Sequence, residues 1–148
     1  MLEIYVDGDA CPVKQETLKV AARHKLPVVI VSNGGLRPSR DPMVSHIVVP
    51  KSADAADDRI TEEITSGDIA ITADIRLAAR LLEKDANVLG PDGRPFTPDS
   101  IGMALAMRDL SQHLRETGEI RGLNASFTPR DRSRFLQALD RMARRTRR

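Results

Sequence analysis

Three groups of aspartates stand where short apolar runs give way to helical patterns. Asp7 and Asp9 follow Ile4-Tyr5-Val6, Asp57 and Asp58 lie in the first turn of a helical segment, and Asp74 follows Ile69–Thr72. Carboxylates brought to one point repel each other, and their pKa values rise unless a cation neutralises them. Mg²⁺ or Mn²⁺ is suited to that task, because both take oxygen ligands, usually a few carboxylates with waters and a substrate phosphate. The chemistry such a site serves is attack of water on a phosphodiester, with the metal positioned by the acids and developing phosphate charge neutralised. One cysteine and three scattered histidines exclude an internal disulfide and a cysteine/histidine zinc site, so any metal is held by oxygen.

The acids meet only if the fold carries them to one edge. Apolar runs predict strands over Glu3–Val6, Val28–Val31, His46–Val49, Ile69–Thr72 and Asn87–Leu89, with helices over Val13–His24, Ala55–Thr65 and Ile75–Lys84. Uninterrupted Val/Ile strands alternating with helices imply a three-layer α/β/α fold with a mostly parallel sheet. Ligands in such sheets bind beyond the carboxyl ends of the strands, where Asp7, Asp9 and Asp74 fall. The turns Asn33-Gly34-Gly35 and Pro91-Asp92-Gly93 punctuate the pattern. Thr97-Pro98 and Thr128-Pro129 each place Thr at an N-cap and Pro at the first helical position, with Asp131 completing a capping box. Two further helices are thus expected over residues 100–117 and 129–144, and the 148 residues fit a single domain.

Helix geometry sorts the middle acids. Asp57, Ile60 and Ile64 share one face at i, i+3 and i+7, so Asp57 points towards the sheet, whereas Asp58 lies about 100° around the axis. Asp54 reads as the N-cap of that helix. The loop from Ser32 to Ser45 is long enough to hold a substrate clamp through Arg37 and Arg40, or to be a plain surface crossover.

Charge is unevenly spread. Residues 130–148 carry eight arginines against Asp131 and Asp140, a local +6 that leaves the rest of the chain at −4 within a total of +2. A basic C-terminal helix and tail (129–148) on an acidic body fits a polyanionic partner such as RNA, met by residues such as Arg130 and Arg134. Its stripe of Phe135, Leu136, Leu139 and Met142 reads as a core or homodimer contact rather than a ligand box. The longest apolar run, Leu26–Val31 interrupted by Pro27, is too short to span a bilayer. The N-terminus shows no signal-peptide pattern, and a cytoplasmic protein without membrane attachment is expected.

The stretches DGDACPVK (7–14), ADAADDRI (53–60), GDIAITADI (67–75), PFTPDSIGMALAMRDLSQHLRETG (95–118) and FTPRDRSRFLQALD (127–140) resemble the YaiI/YqxD family of small bacterial proteins. That family is grouped with PIN-like domains, whose pattern is an acid after the first strand, a D-x-x-I helix and a T-x-D after a later strand. Asp7, Asp57 to Ile60, and Thr72-Ala73-Asp74 match in order. The resemblance implies a PIN-like fold and a metal-dependent ribonuclease, with Asp7, Asp57 and Asp74 as Mg²⁺ or Mn²⁺ ligands. Asp9 and Asp58 follow as second choices, and Asp99 as a fourth acid if its helix faces the same edge. The family usually has Pro where this chain has Arg76, which exchanges first-turn rigidity for a positive charge beside the acids.

Two other readings compete. Asp7-Gly8-Asp9, Ser32-Asn33 and Gly67-Asp68 imitate a haloacid-dehalogenase-type phosphatase with Asp7 as nucleophile, but Gly67-Asp68 precedes its strand where that chemistry needs it to follow. A binding module without catalysis would use the acids as caps and the basic tail as its contact; with no tryptophan, one tyrosine and three phenylalanines, phosphate contacts would dominate over base stacking. Cys11 lacks both a Cys-x5-Arg arginine, position 17 being Thr17, and a neighbouring histidine base.

Overall fold

Alternation within each strand settles which helices cover which face. In a computed structural model, which describes residues 2–8, 11–34, 40–52, 54–103, 105–107 and 127–146, β1 (Ile4–Asp7) sends Ile4 and Val6 to one face and Tyr5 to the other. β2 (Val28–Ser32), β4 (Ile69–Ile71) and β5 (Asn87–Leu89) alternate in the same phase. On the first face these side chains meet α1 (Lys14–His24) and α5 (Pro129–Thr146). On the second they meet α2 (Ala55–Glu63) and α3 (Ile75–Glu83). Residues 98–103 and 105–107 are helical as well and form α4.

Among the described residues the sheet has six strands in the order β3-β2-β1-β4-β5-β6, where β3 is Val44–Val48 and β6 is Pro95–Phe96. All pairs are parallel except β5 with β6. The result is the expected three-layer α/β/α architecture. Boundaries differ locally. β3 begins at Val44 rather than His46, because the Met43 carbonyl accepts from Val28 N and brings the chain into register with β2 two residues early. α2 ends at Glu63 because Ile64 turns extended. β6 was not expected; it pairs Pro95 with Leu89 and Phe96 with Val88 just before the Thr97 cap, whose hydroxyl accepts from Ser100 N.

α5 completes the core of the first face: Phe135 and Leu139 are fully buried and Met142 nearly so. Its N-terminal capping box forms as read, with Thr128 N donating to Asp131 Oδ2 and Asp131 N to Thr128 Oγ1. α5 lies alongside α1 in the same direction, since Arg132 bonds the Pro12 carbonyl and Glu16 at one end while Asp140 meets Arg23 and His24 at the other. No described helix is long and apolar enough to cross a membrane.

Candidate functional site

The carboxyl ends of β1 and β4 are tied by a hydroxyl. Thr72, buried directly after β4, donates from Oγ1 to Asp7 Oδ2 at 3.1 Å and accepts from Asp74 N at 3.0 Å. One residue therefore sets the spacing of the first and third acids. Gly8 lets β1 end there: a Cβ at that position would lie 2.8 Å from Ile30 Cγ2 and 3.1 Å from the Val31 carbonyl oxygen. The glycine of the Asp7-Gly8-Asp9 stretch thus has a steric reason, close passage along β2.

Asp74 is the N-cap of α3, its Oδ1 accepting from Arg76 N at 2.9 Å and Leu77 N at 3.3 Å. Asp57 enters from the first turn of α2 and is half-buried. Desolvation, then the charges of Asp74 and Asp7, push its carboxyl up from 3.8 to about 6, with Asp54 adding to the rise and Arg80 opposing it. The mutual influence of Asp57, Asp74 and Asp7 is the excess of negative charge that a hard cation would relieve. Among the described residues, no three His, Cys, Asp or Glu side chains are grouped to hold a metal ion as they stand. The donor chemistry nevertheless fits Mg²⁺ or Mn²⁺, which are commonly held by one or two carboxylates with water completing the shell.

The remaining candidates separate from this point. Asp58 is exposed and pairs with Arg80 at 3.0 Å across α2 and α3, as its position around the helix implies. Asp54 occupies the N-cap position of α2, yet its side chain makes no capping bond, so the cap expected there is absent. Arg76 is exposed at the start of α3, beside Asp74, and Arg40 and Asp99 are exposed. Arg130 is exposed at the start of α5, and Arg134 lies 4.0 Å from Asp131. Asp9 and Arg37 lie outside the described residues.

The rival motifs are placed elsewhere. Asp68 is buried at the amino end of β4, opposite Asp7, accepting from Glu3 N at 3.0 Å through Oδ1 and from Thr65 N and Oγ1 through Oδ2. Gly67 beside it has φ of 89°, so the pair forms a turn that joins β1 to β4 at the far end. Burial pushes the Cys11 thiol up, opposite to what an activated nucleophile requires. Sequence reasoning matched Thr72 to a pattern without giving its hydroxyl a task, and it missed Arg80; the T-x-D spacing was the available signal for the first.

A three-layer α/β protein with Asp7 and Asp74 joined through Thr72 at the carboxyl edge of a parallel sheet, and with Asp57 under their charge, is the class that fold and site define. Residues 5–145 match the model of the YaiI/YqxD family, described as uncharacterized, and the chain belongs to that family. It is 67% identical to a UPF0178 protein of Mesorhizobium japonicum, over 96% of this chain and 92% of the relative. A UPF0178 protein of Agrobacterium fabrum is 62% identical over 97% and 94% of the two chains. One of Rhizobium meliloti is 61% identical over 98% and 99%. No solved structure matches the chain.

Proposed function

We propose that this protein is a cytoplasmic, PIN-like, divalent-metal-dependent nuclease that hydrolyses phosphodiesters in RNA at the edge formed by Asp7, Asp57 and Asp74. The observation that carries the reading is the Asp57 carboxyl, which desolvation first and then the charges of Asp74 and Asp7 raise to about 6. A structural N-cap needs no such neighbours, and a strongly perturbed carboxyl beside other carboxylates is the kind of group found at working sites. Mg²⁺ or Mn²⁺, when bound, supplies charge neutralisation and a water of lowered pKa. Asp7 and Asp57 would hold the ion, with Asp74 contributing from the cap of α3. Thr72 holds Asp7 and Asp74 at their spacing. Arg76, exposed two residues after Asp74, would meet a substrate phosphate.

The test is a calorimetric titration of Mn²⁺ into wild type, Asp57→Asn and Asp74→Asn, alongside cleavage of a mixed RNA pool. Metal binding and cleavage that both depend on Asp57 support the nuclease. Binding without cleavage favours the module with a remnant metal site, and identical titrations of all three proteins overturn the metal reading. Phosphoryl transfer to Asp7 would revive the phosphatase.

A further inference from the structure

The β5–β6 hairpin and α5 enclose a groove of about 470 Å³. That volume falls within the range of roughly 300–1,000 Å³ typical of small-molecule sites. Its walls divide by chemistry. Leu89, Pro95 and Met142 give it apolar surface, while Arg141 and Arg145 are exposed at its rim.

The two arginines lie at i and i+4 on α5, so they present neighbouring guanidinium groups along one side. Arg144, also on the groove, already pairs with the buried carboxylate of Asp140. The groove is preformed. Gly93, with φ of 86°, lets the hairpin press onto α5 so closely that a Cβ there would sit 2.7 Å from Arg134 C and Phe135 N.

An apolar wall bordered by neighbouring guanidinium groups matches a nucleotide: the base against the apolar residues and the phosphate on the arginines. We propose that this groove binds a nucleoside monophosphate unit, either free or as one residue of an RNA strand, with Arg141 and Arg145 as its phosphate contacts. The groove is not built from the acids, although its Leu89 accepts a backbone hydrogen bond from Thr72 N. Asp57 belongs to α2 on the opposite face of the sheet, and the groove needs no metal.

The probe is adenosine 5′-monophosphate, titrated by calorimetry into the full chain with chelator present, so that failure of the metal site leaves the result untouched. Saturable binding is expected. The double substitution Arg141→Gln with Arg145→Gln weakens it by at least about tenfold, whereas the charge-matched control Lys19→Gln with Lys51→Gln, at exposed positions outside the groove, leaves it unchanged. Circular dichroism checks that both variants fold. A short oligoribonucleotide that displaces the monophosphate assigns the site to an RNA strand; failure to displace assigns it to a free nucleotide. The proposal is overturned by absence of saturable binding, by equal loss in the lysine control, or by inorganic phosphate binding as tightly as the nucleotide.

Discussion

Thr72 donates its hydroxyl to Asp7 across 3.1 Å, so the end of β4 holds the side chain at the end of β1. The same oxygen accepts from the backbone of Asp74, which makes Thr72 the joint between two acids of the candidate site. Thr72→Val keeps the shape and removes both bonds. We expect a loss of about 1–3 kcal/mol from removal of two part-buried hydrogen bonds, read as a lower urea midpoint, with Mn²⁺ affinity falling more than in a surface control.

Asp57 gives a pH signature with a definite sign. Its folded carboxyl sits at about 6 against an ordinary 3.8, so the folded state holds the proton more tightly than the unfolded chain. That contribution is complete below about pH 4 and lost as pH rises through 6. Asp57→Asn removes the penalty. With chelator present, the variant should melt about 2–4 °C above wild type at pH 8 and level with it near pH 4. Saturating Mg²⁺ should narrow the gap at pH 8 by stabilising wild type alone.

Asp140 behaves in the opposite sense. Hydrogen bonds from His24 and Arg144, with Arg144's charge and Arg23 contributing, hold its carboxyl at about 2. Its stabilising contribution is therefore present above the ordinary 3.8 and is lost as pH falls through 2. Asp140→Ala leaves the buried His24 side chain without a contact now 2.7 Å long. The expected cost is about 3–5 kcal/mol at pH 7. Denaturant titrations should show that cost shrinking between about pH 4 and pH 2.

Two glycines with nearly the same backbone separate strain from crowding. Gly67 (φ 89°) has nothing within 4 Å of a would-be Cβ, whereas at Gly93 (φ 86°) that atom would strike the α5 backbone. Gly67→Ala should cost about 1–2 kcal/mol from the left-handed conformation alone, and Gly93→Ala about 1–3 kcal/mol more from overpacking. Equal costs in thermal melts would mean that the hairpin does not press on α5 as described.

How much of this was legible depended on the range of the interaction. The Val/Ile strands and capped helices announce themselves locally, because burial on both faces demands runs such as Val28–Val31 and because Thr-Pro pairs prepare a helix start. Asp7 and Asp74 could be found by the rule of strand ends, and Asp57 by its place one turn ahead of Ile60. The early start of β3 and the two residues of β6 could not, since both are created by pairing with a neighbouring strand rather than by an apolar run of their own. Nor could the arginine groove, which exists only because Gly93 brings the β5–β6 hairpin against α5.

The burial of Phe135 and Leu139 beneath the central strands also fixes an order of events in the cell. Every strand of the sheet leaves the ribosome before α5, so one face of the nascent sheet must wait for a helix translated after all of them. Until then its Ile and Val side chains are partly uncovered, and chaperones that hold apolar segments would find their target there. Emergence of α5, rather than formation of the sheet, is the event that covers this face.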